Sequence, residues 1–570
     1  MAIKKDFDMD LIFVTYNSSK WIRDCFASIR KQTYAKDKIN VYVVDNASTD
    51  DTMEILKEEK AALEKEKIRC ELIPAGSNLG FGKANNLGFE KGSSRIAAFL
   101  NIDTELEPDT LQELAAEIRA DVTKKGNRFA LWELRQFPYE HPKMYDPITH
   151  ETTWCSGAAF AVRRDVYKKL GGFDPHLFMY AEDVDLSWRI RSYGYKLKYV
   201  PRAVIHHYSY TSAGEVKPVQ YINSLINNLL LRYRFGGIVT IARGHMLFWH
   251  VLLHQSPFPK SRFMLLKRYL EHFKEIPYFL NKKGKVGKPG FRGNFLGFDY
   301  APIRMGAFYE NEFPKETPLV SIIVRTCGRP DVLRETLQSL RGQTYKNFEV
   351  MVVEDGEDTS GDMIRREFSD MNIRYQATGE KVGRSKAGNI AITNAKGKYI
   401  NFLDDDDVFY ADHIEVLVKT LERNPGKRAA YAFAFATPIV IQSRSPYRYK
   451  LKDYQGIHHQ GFDKIMLCHH NYIPIECIMF EKSLFEEYGG LDESLDALED
   501  WDLWVRYSMH TDYAWIEKTT SQYRIPYDQT IDAKRQKELD DALKVVREKH
   551  KGYAASLSAF DLCRLFEKIG

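Results

Sequence analysis

Two runs of residues carry the chemistry that this sequence can offer. One is "IAAFLNIDTE", where an apolar stretch ends at Asn101, Ile102 and Asp103. The other is "YINFLDDDD", where a similar stretch ends at Asp404, Asp405, Asp406 and Asp407. Carboxylates crowded at the end of a buried strand repel one another unless a cation neutralises them. Hard oxygen ligands select Mg²⁺ or Mn²⁺, held by one or two carboxylates with substrate phosphates completing the shell. A solvated acidic loop would need no ion, but the apolar residues directly before each run argue for a metal. A second pattern follows each run: Gly-Gly-x-Asp and then Glu182-Asp183-x-Asp185-Leu186, or Glu499-Asp500-x-Asp502-Leu503. Acids at a helix start are stabilised by the helix dipole, and capping alone is one reading. A buried pair facing a metal site would instead supply a general base.

The elements that position these acids also occur twice. "SIRKQTY" (residues 28–34) and "SLRGQTY" (residues 339–345) agree at five of seven positions. Each lies between two apolar, β-branched runs. The first run of each copy ends at Thr15 or Thr326, and the second at Asp45 or at Glu354-Asp355. Short buried strands alternating with helical patterns make βαβ units on a parallel sheet. Ligands bind beyond the carboxyl ends of such strands, which is where these acids stand. The repeated phrase itself, with Gln32 and Tyr34, is equally well read as helix packing. Further on, Lys83-Ala84-x-Asn86 parallels Lys386-Ala387-x-Asn389.

The bulk properties set bounds. A chain of 570 residues predicts two to four domains. With 44% hydrophobic and 28% charged residues it reads as globular and soluble, and a net charge of +4 gives no nucleic-acid signal. Seven cysteines without a CxxC pair indicate neither a disulfide framework nor a zinc site, and a reducing cytoplasm fits best. The first residues have no apolar signal core. The most apolar later stretch, "GGIVTIARGHMLFWHVLLH", is interrupted by Arg243 and His245 and falls short of the ~20 apolar residues of a spanning helix.

The order strand–Thr, strand–Asp, Asn/Gly loop, Asp-x-Asp, Gly-Gly-x-Asp, Glu-Asp resembles family 2 glycosyltransferases of the GT-A fold. Copy one ("VTYN", "VVDNASTD", "YAEDVDL", "AVIHH") is similar to the bacterial rhamnosyl- and galactofuranosyltransferase branch, and copy two ("EDWDLW") to the general branch. The resemblance implies an α/β protein with two GT-A (Rossmann-like) domains, 1–212 and 312–530. It implies an inverting, metal-dependent enzyme that uses nucleotide sugars, with dTDP-rhamnose first and UDP-galactofuranose or other UDP-hexoses behind. Thr15 and Asp45 would line the nucleotide pocket, and Asn78 and Asn86 would flank the loop along the sugar nucleotide. Asn101 stands where the first acid of the Asp-x-Asp is common. Asp103 and His206 would hold Mg²⁺ or Mn²⁺, with strand alternation allowing only one of His206 and His207 on the site face. Asp183 would be the base. In copy two the matches are Thr326, Glu354 or Asp355, Asn389, Asp404, Asp406 and base Asp500. "SQYRI" replaces the histidine segment there, which puts Arg524 near phosphate.

Residues 213–311 resemble neither copy and read as a helical linker rich in basic and aromatic residues. The reading is either a solvated linker or a membrane-surface patch near a lipid-diphosphate-linked acceptor. The tail, 531–570, suggests two helices that pack on domain two or on a partner subunit. The functional expectation is a bifunctional glycosyltransferase building a bacterial surface polysaccharide at the cytoplasmic face of the membrane. The alternatives are one active domain with the other binding glycan, and a nucleotidyltransferase.

Overall fold

The computed structural model describes residues 7–123, 126, 128–141, 143–208, 215–282, 290–306, 312–452, 457–495, 497–527 and 529–553. The chain forms two compact units, Met1–Glu312 and Phe313–Gly570, each built on one mixed sheet. Unit one contains β1 (Met9–Thr15), β2 (Ile39–Asp45), β3 (Arg69–Pro74), β4 (Ile96–Asn101), β5 (Thr104–Leu106), β6 (Phe129–Phe137), β7 (Glu151–Thr152), β8 (Ala159–Arg163) and β9 (Lys196–His207). Its sheet order is β3-β2-β1-β4-β8-β6-β9-β5, with β7 beside β9. Unit two contains β10 (Val320–Thr326), β11 (Phe348–Glu354), β12 (Ile373–Ala377), β13 (Tyr399–Phe402), β14 (Val408–Phe409), β15 (Ala429–Arg444), β16 (Tyr447–Leu451), β17 (Ile457–His458), β18 (Ile478–Glu481) and β19 (Tyr513–Pro526). Its order is β12-β11-β10-β13-β18-β15-β19-β14, the same path strand for strand. The α/β class and the two Rossmann-like sheets are those expected from the sequence.

The first four strands of each path are parallel and lie between helices, so β1 and β10 are buried along almost their whole length. That is why they read as nearly continuous apolar runs. Register pairs Thr15 with Asp45 and Thr326 with Glu354 at the carboxyl ends. Glu354, rather than Asp355, is therefore the counterpart of Asp45.

The repeated phrase has a structural task. The Gln32 amide donates to Glu107 O (2.8 Å) and accepts from Leu111 N (3.0 Å), and Gln343 does the same with Tyr410 O (2.7 Å) and Ile414 N (3.2 Å). Ser28 Oγ accepts from Leu106 N and Ser339 Oγ from Phe409 N. Tyr34 and Tyr345 each donate to the carbonyl of the segment leading into the first strand, at 2.6 Å. The phrase thus fastens the chain as it leaves each acidic run, which fixes where that run points.

The helical middle belongs to unit one. Leu230, Leu231 and Phe235 of helix Pro218–Phe235 pack with Phe279 against Trp154, Leu177, Val184 and Trp188. Arg234 of this helix, 1% exposed, bridges Asp174 (2.6 Å) and Asp185. The same device occurs in unit two. Lys549, on helix Gln529–His550, bridges Asp492 (2.6 Å) and Asp502 (2.8 Å), the matching aspartates of Gly-Gly-x-Asp and Glu-Asp-x-Asp. Each repeat therefore extends past its last strand to a helix, Pro218–Phe235 or Gln529–His550, that shares no sequence motif with its counterpart. Lys283, Lys285 and Lys288 of the basic run, and the second helix read at the tail, lie outside the described residues.

Candidate active site

In unit one the strand-end acids sit among donors. Thr15 Oγ1 donates to Asp45 Oδ1 (3.1 Å), and Ser48 donates to the same carboxylate from its hydroxyl (2.6 Å) and its backbone N–H (3.2 Å). Asn78 Oδ1 accepts from Asn46 Nδ2 (3.1 Å) and Gly80 N (3.0 Å), which closes the loop ahead of helix Phe81–Lys91. Asn86 faces elsewhere. Its carbonyl accepts from Phe173 N (2.9 Å) and Tyr167 OH (2.6 Å), and its NH₂ donates to Phe173 O (2.9 Å). Asn389 holds Leu491 N and O in the same way, at 2.9 Å each. Asn86, expected to flank the loop along the sugar nucleotide, and its match Asn389 thus both turn their amides to the Gly-Gly-x-Asp turn. The second glycine of that turn follows from it. A Cβ on Gly172 would stand 2.3 Å from Asn86 Oδ1, and one on Gly490 2.2 Å from Asn389 Oδ1.

His207, not His206, stands at the acidic run. Alternation along β9 turns His206 to Glu107 (2.6 Å) and brings His207 Nε2 to 3.5 Å from Asp103 and 3.4 Å from Asn101 Nδ2. Gln136 Oε1 lies 3.0 Å from His207 Nδ1. With the proton on Nδ1 and donated to Gln136, the Nε2 lone pair faces Asp103, the orientation a metal-binding imidazole needs. With the ring doubly protonated instead, burial pushes the Asp103 carboxyl up, but the Nε2–H and the charge of the ring outweigh this and hold it below the ordinary carboxylate range. No group of three or more His, Cys, Asp or Glu side chains among the described residues is arranged to hold a metal. The carboxylate and imidazole of unit one fit a hard cation whose remaining ligands come from phosphate and water.

Helix Glu182–Ser192 starts from Ala181, and helix Glu499–Ser508 from Leu498, both in the left-handed region at φ 64° and 59°. Such conformations cost energy in residues with a side chain, and here they recur at the same point of both copies. Asp183 accepts from Gly157 N (2.8 Å) and Val184 N (2.8 Å), and the adjoining Ala158 O accepts from Asn101 N (2.9 Å). The start of β8 thereby joins the Glu-Asp pair to the acidic run. Burial raises the Asp183 carboxyl, and burial together with the Asp183 charge raises Glu182 well above its ordinary value.

Unit two makes the same connection with a charge. Arg325 grips Asp404 through Nε (3.0 Å) and Nη2 (2.8 Å) and reaches Glu499 through Nη1 (2.9 Å). Thr326 Oγ1 donates to Asp405 (2.6 Å), and Arg329 pairs with Asp405 and with Asp406 (3.1 Å). Guanidinium groups therefore neutralise part of the acidic run. Asp404 and Asp406 offer hard oxygen ligands, but the register of β14 on β19 puts Tyr523 where unit one has His207. Asp500 accepts from Trp501 N (2.8 Å) and Asn471 Nδ2 (3.0 Å), and burial with the Glu499 charge pushes it up to about 7. Glu354 is surrounded by Gly328 N, Thr359 N, Ser360 N and Tyr375 OH, and these donors overcome burial and hold it below its ordinary value. Asp355 accepts from Val382 N and Gly383 N, the place Asn46 takes in unit one. Arg524, expected near phosphate, donates its backbone N–H to Asp407 of the acidic run (2.8 Å) and turns its side chain away. Its guanidinium, 1% exposed, pairs with Glu335 (2.9 Å) and lies over the Tyr449 ring.

Sequence reasoning put His206 ahead of His207 and missed Arg325, Arg329 and Glu476. Glu476 is buried near Asp404 and Asp500, and burial with their charges pushes it up to about 8. The signals were present: an arginine inside "VSIIVRT" and a glutamate inside "IPIECIMF" are charges that an apolar strand does not otherwise carry.

Both units thus place buried carboxylates and an acidic run at the open ends of parallel strands, the layout of an enzyme acting on a phosphate-bearing ligand. The profile of Glycosyl transferase family 2 matches residues 10–171 and 321–489, more than half of the chain. The chain belongs to that family, with one copy in each unit, and this removes the nucleotidyltransferase reading. An uncharacterized glycosyltransferase of Rickettsia prowazekii is 31% identical over 193 residues, which cover 34% of this chain and 59% of that protein. The N-acetylglucosaminyl-diphospho-decaprenol L-rhamnosyltransferase of Mycobacterium tuberculosis is 25% identical over 248 residues, 36% of this chain and 78% of the relative. Among solved structures, a mannosyltransferase of Pyrobaculum calidifontis in complex with GDP-Man and Mn²⁺ aligns at 18% identity and a TM-score of 0.31, covering 49% of this chain and 74% of that one.

Proposed function

We propose that each unit transfers a glycosyl group with inversion from a nucleotide-diphosphate sugar, and that the two act in turn on a growing bacterial surface polysaccharide. The observation that carries this reading is the joining, in both copies, of a strand-end acidic run to a buried Glu-Asp pair, by Gly157-Ala158 in unit one and by Arg325 in unit two. Asp183 or Asp500 takes the proton of the acceptor hydroxyl. The acceptor oxygen bonds to the anomeric carbon as the bond to the diphosphate breaks, and the nucleoside diphosphate leaves. Thr15 and Asp45 in unit one, and Thr326, Glu354 and Asp355 in unit two, border the nucleotide. Asp103 with His207, and Asp404 with Asp406, would hold Mg²⁺ or Mn²⁺, which supplies charge neutralisation at the leaving diphosphate. The activity of the mycobacterial rhamnosyltransferase supports dTDP-rhamnose as the first donor to test and, as acceptor, a lipid diphosphate at the cytoplasmic face of a membrane.

A second reading keeps unit one active and makes unit two a glycan-binding module. The pairing of Arg325 and Arg329 with the acids of unit two favours it. Purified protein offered a panel of dTDP-, UDP- and GDP-sugars separates the two. Asp183→Asn should remove one linkage and Asp500→Asn the other, each lowering its rate by ~10²–10⁴. If Asp500→Asn leaves every product unaltered, the second reading holds.

A further inference from the structure

Helices Ile238–His254 and Ser261–His272 form an outer layer on helix Pro218–Phe235. Their inner stripes, with Phe248, Val251, Leu265 and Tyr269, pack on Ile222, Leu225, Ile226 and Leu229. Their outer faces are the unusual ones. Val239, Met246, Trp249 and Leu253 on the first helix recur at the spacing of one face, as do Phe263, Leu266, Leu270 and Phe273 on the second. All eight are exposed, and Val239, Met246, Leu253, Phe263 and Leu270 are between 62% and 82% exposed. A helix that buries one face in a core ordinarily turns polar residues outward, whereas these two are apolar on both sides. Exposed Arg243, Arg262, Lys267 and Lys274 are interleaved with the outer stripes. Residues 238–282 carry seven lysines and arginines against two glutamates. Of those glutamates, Glu271 pairs with Arg268 (2.8 Å) and Glu275 lies 2.9 Å from His176.

We infer that this face lies on an anionic lipid surface, its apolar stripes in the headgroup–acyl boundary and its cations at the headgroups. The charge decides the occupant: a cationic rim round an apolar face complements an anionic bilayer, whereas in a second copy of the same face like charges would meet. No described helix is long and apolar enough to cross a membrane, and an in-plane arrangement does not require one. This goes beyond the sequence reading, which rested on the basic and aromatic composition of 213–311 as a whole. It locates the surface on two particular helix faces, one of them upstream of residue 260.

The test is co-sedimentation of the full chain with vesicles of phosphatidylcholine alone, or of phosphatidylcholine and phosphatidylglycerol in equal parts. No nucleotide sugar is present, so the outcome is independent of the catalytic proposal. Binding to the anionic vesicles only, weakened by salt, is expected. Each of Arg243→Ser, Arg262→Ser, Lys267→Ser and Lys274→Ser should lower affinity about fivefold. The combined variant Met246→Ser/Leu253→Ser/Phe263→Ser/Leu270→Ser changes only exposed side chains and should abolish binding with its circular dichroism unchanged. Absence of binding, binding equal on both vesicles, or binding that survives the combined variant overturns the inference. So does sedimentation velocity showing that the combined variant converts a dimer to a monomer without affecting vesicles, because the occupant is then a second copy.

Discussion

Arg234→Met tests the idea that the helix closing each repeat holds the Glu-Asp helix in place. Arg234 is buried between Asp174 and Asp185, themselves buried, and its removal leaves two carboxylates short of a cation. Breaking a buried ion pair from one side costs about 3–5 kcal/mol. The lower end applies here, because Asp185 keeps Arg189 (2.7 Å) and Asp174 keeps Tyr278 OH (3.1 Å) and His176 N (2.9 Å). About 3 kcal/mol is roughly two decades in an opening equilibrium. Amide hydrogen exchange over Glu182–Ser192 should therefore quicken by about a hundredfold while Glu499–Ser508 is unaffected. Lys549→Met is the internal control. Lys549 is 31% exposed, and Asp502 retains Arg506 (3.1 Å) and Tyr553 OH (2.8 Å), so about 1 kcal/mol and a roughly fivefold change are expected. Adding Asp185→Asn to Arg234→Met removes one of the stranded charges and should recover part of the protection. The reasoning fails if Arg234→Met leaves exchange at Glu182–Ser192 unchanged, or if Lys549→Met costs as much as Arg234→Met.

Other consequences are as direct. Mn²⁺ binding to unit one, read by electron paramagnetic resonance, should be lost in His207→Ala and kept in His206→Ala. Gln136→Leu, which only frees the His207 ring, should weaken it by about 10–100-fold. In an Asp183→Asn background the remaining transfer should rise with pH through about 7, because Asp500 accepts a proton only when ionised and its pKa is raised. A midpoint in the ordinary carboxylate range, about 4, would contradict that assignment.

Much of this arrangement was legible in the residues. Strand ends marked by Thr15 and Asp45, and again by Thr326 and Glu354, fixed a parallel sheet and its open end, because a run buried on both faces shows itself as unbroken apolar sequence. The duplicated order of motifs defined two sites. What stayed hidden depended on strand phase or on single distant contacts. "AVIHH" offers two histidines, and only the pairing of β5 with β9 decides which one turns inward. Asn86 and Asn389 carry a motif that looks ligand-binding, yet their amides hold a turn nearly ninety or a hundred residues downstream. Arg234 and Lys549 occupy helices with no common pattern, so nothing local marks them as equivalents.

The two units differ most where they are most alike. Thr15 and Thr326 correspond, so Val14 and Ser18 of unit one face Arg325 and Arg329 of unit two, and Ile102 corresponds to Asp405. Ile102 is part of the apolar core of unit one, whereas Asp405 is equally buried and held by Arg329. The exchange is correlated, since a buried carboxylate without the arginine would be an unpaired charge. Stability does not account for it: replacing a buried ion pair by apolar residues of similar volume is often neutral or stabilising by about 1–4 kcal/mol. The pair therefore alters charge at the sheet end rather than strengthening the fold. Unit one presents a single acid of the run, Asp103, with an imidazole beside it. Unit two presents four acids, three of them tied to two guanidinium groups, and its Glu-Asp helix is bound to them through Arg325. A phosphate arriving at unit two meets arginines already committed to carboxylates, and any cation there must compete with those arginines for the acids. Among the described residues of unit one, no arginine pairs with Asp103 or His207.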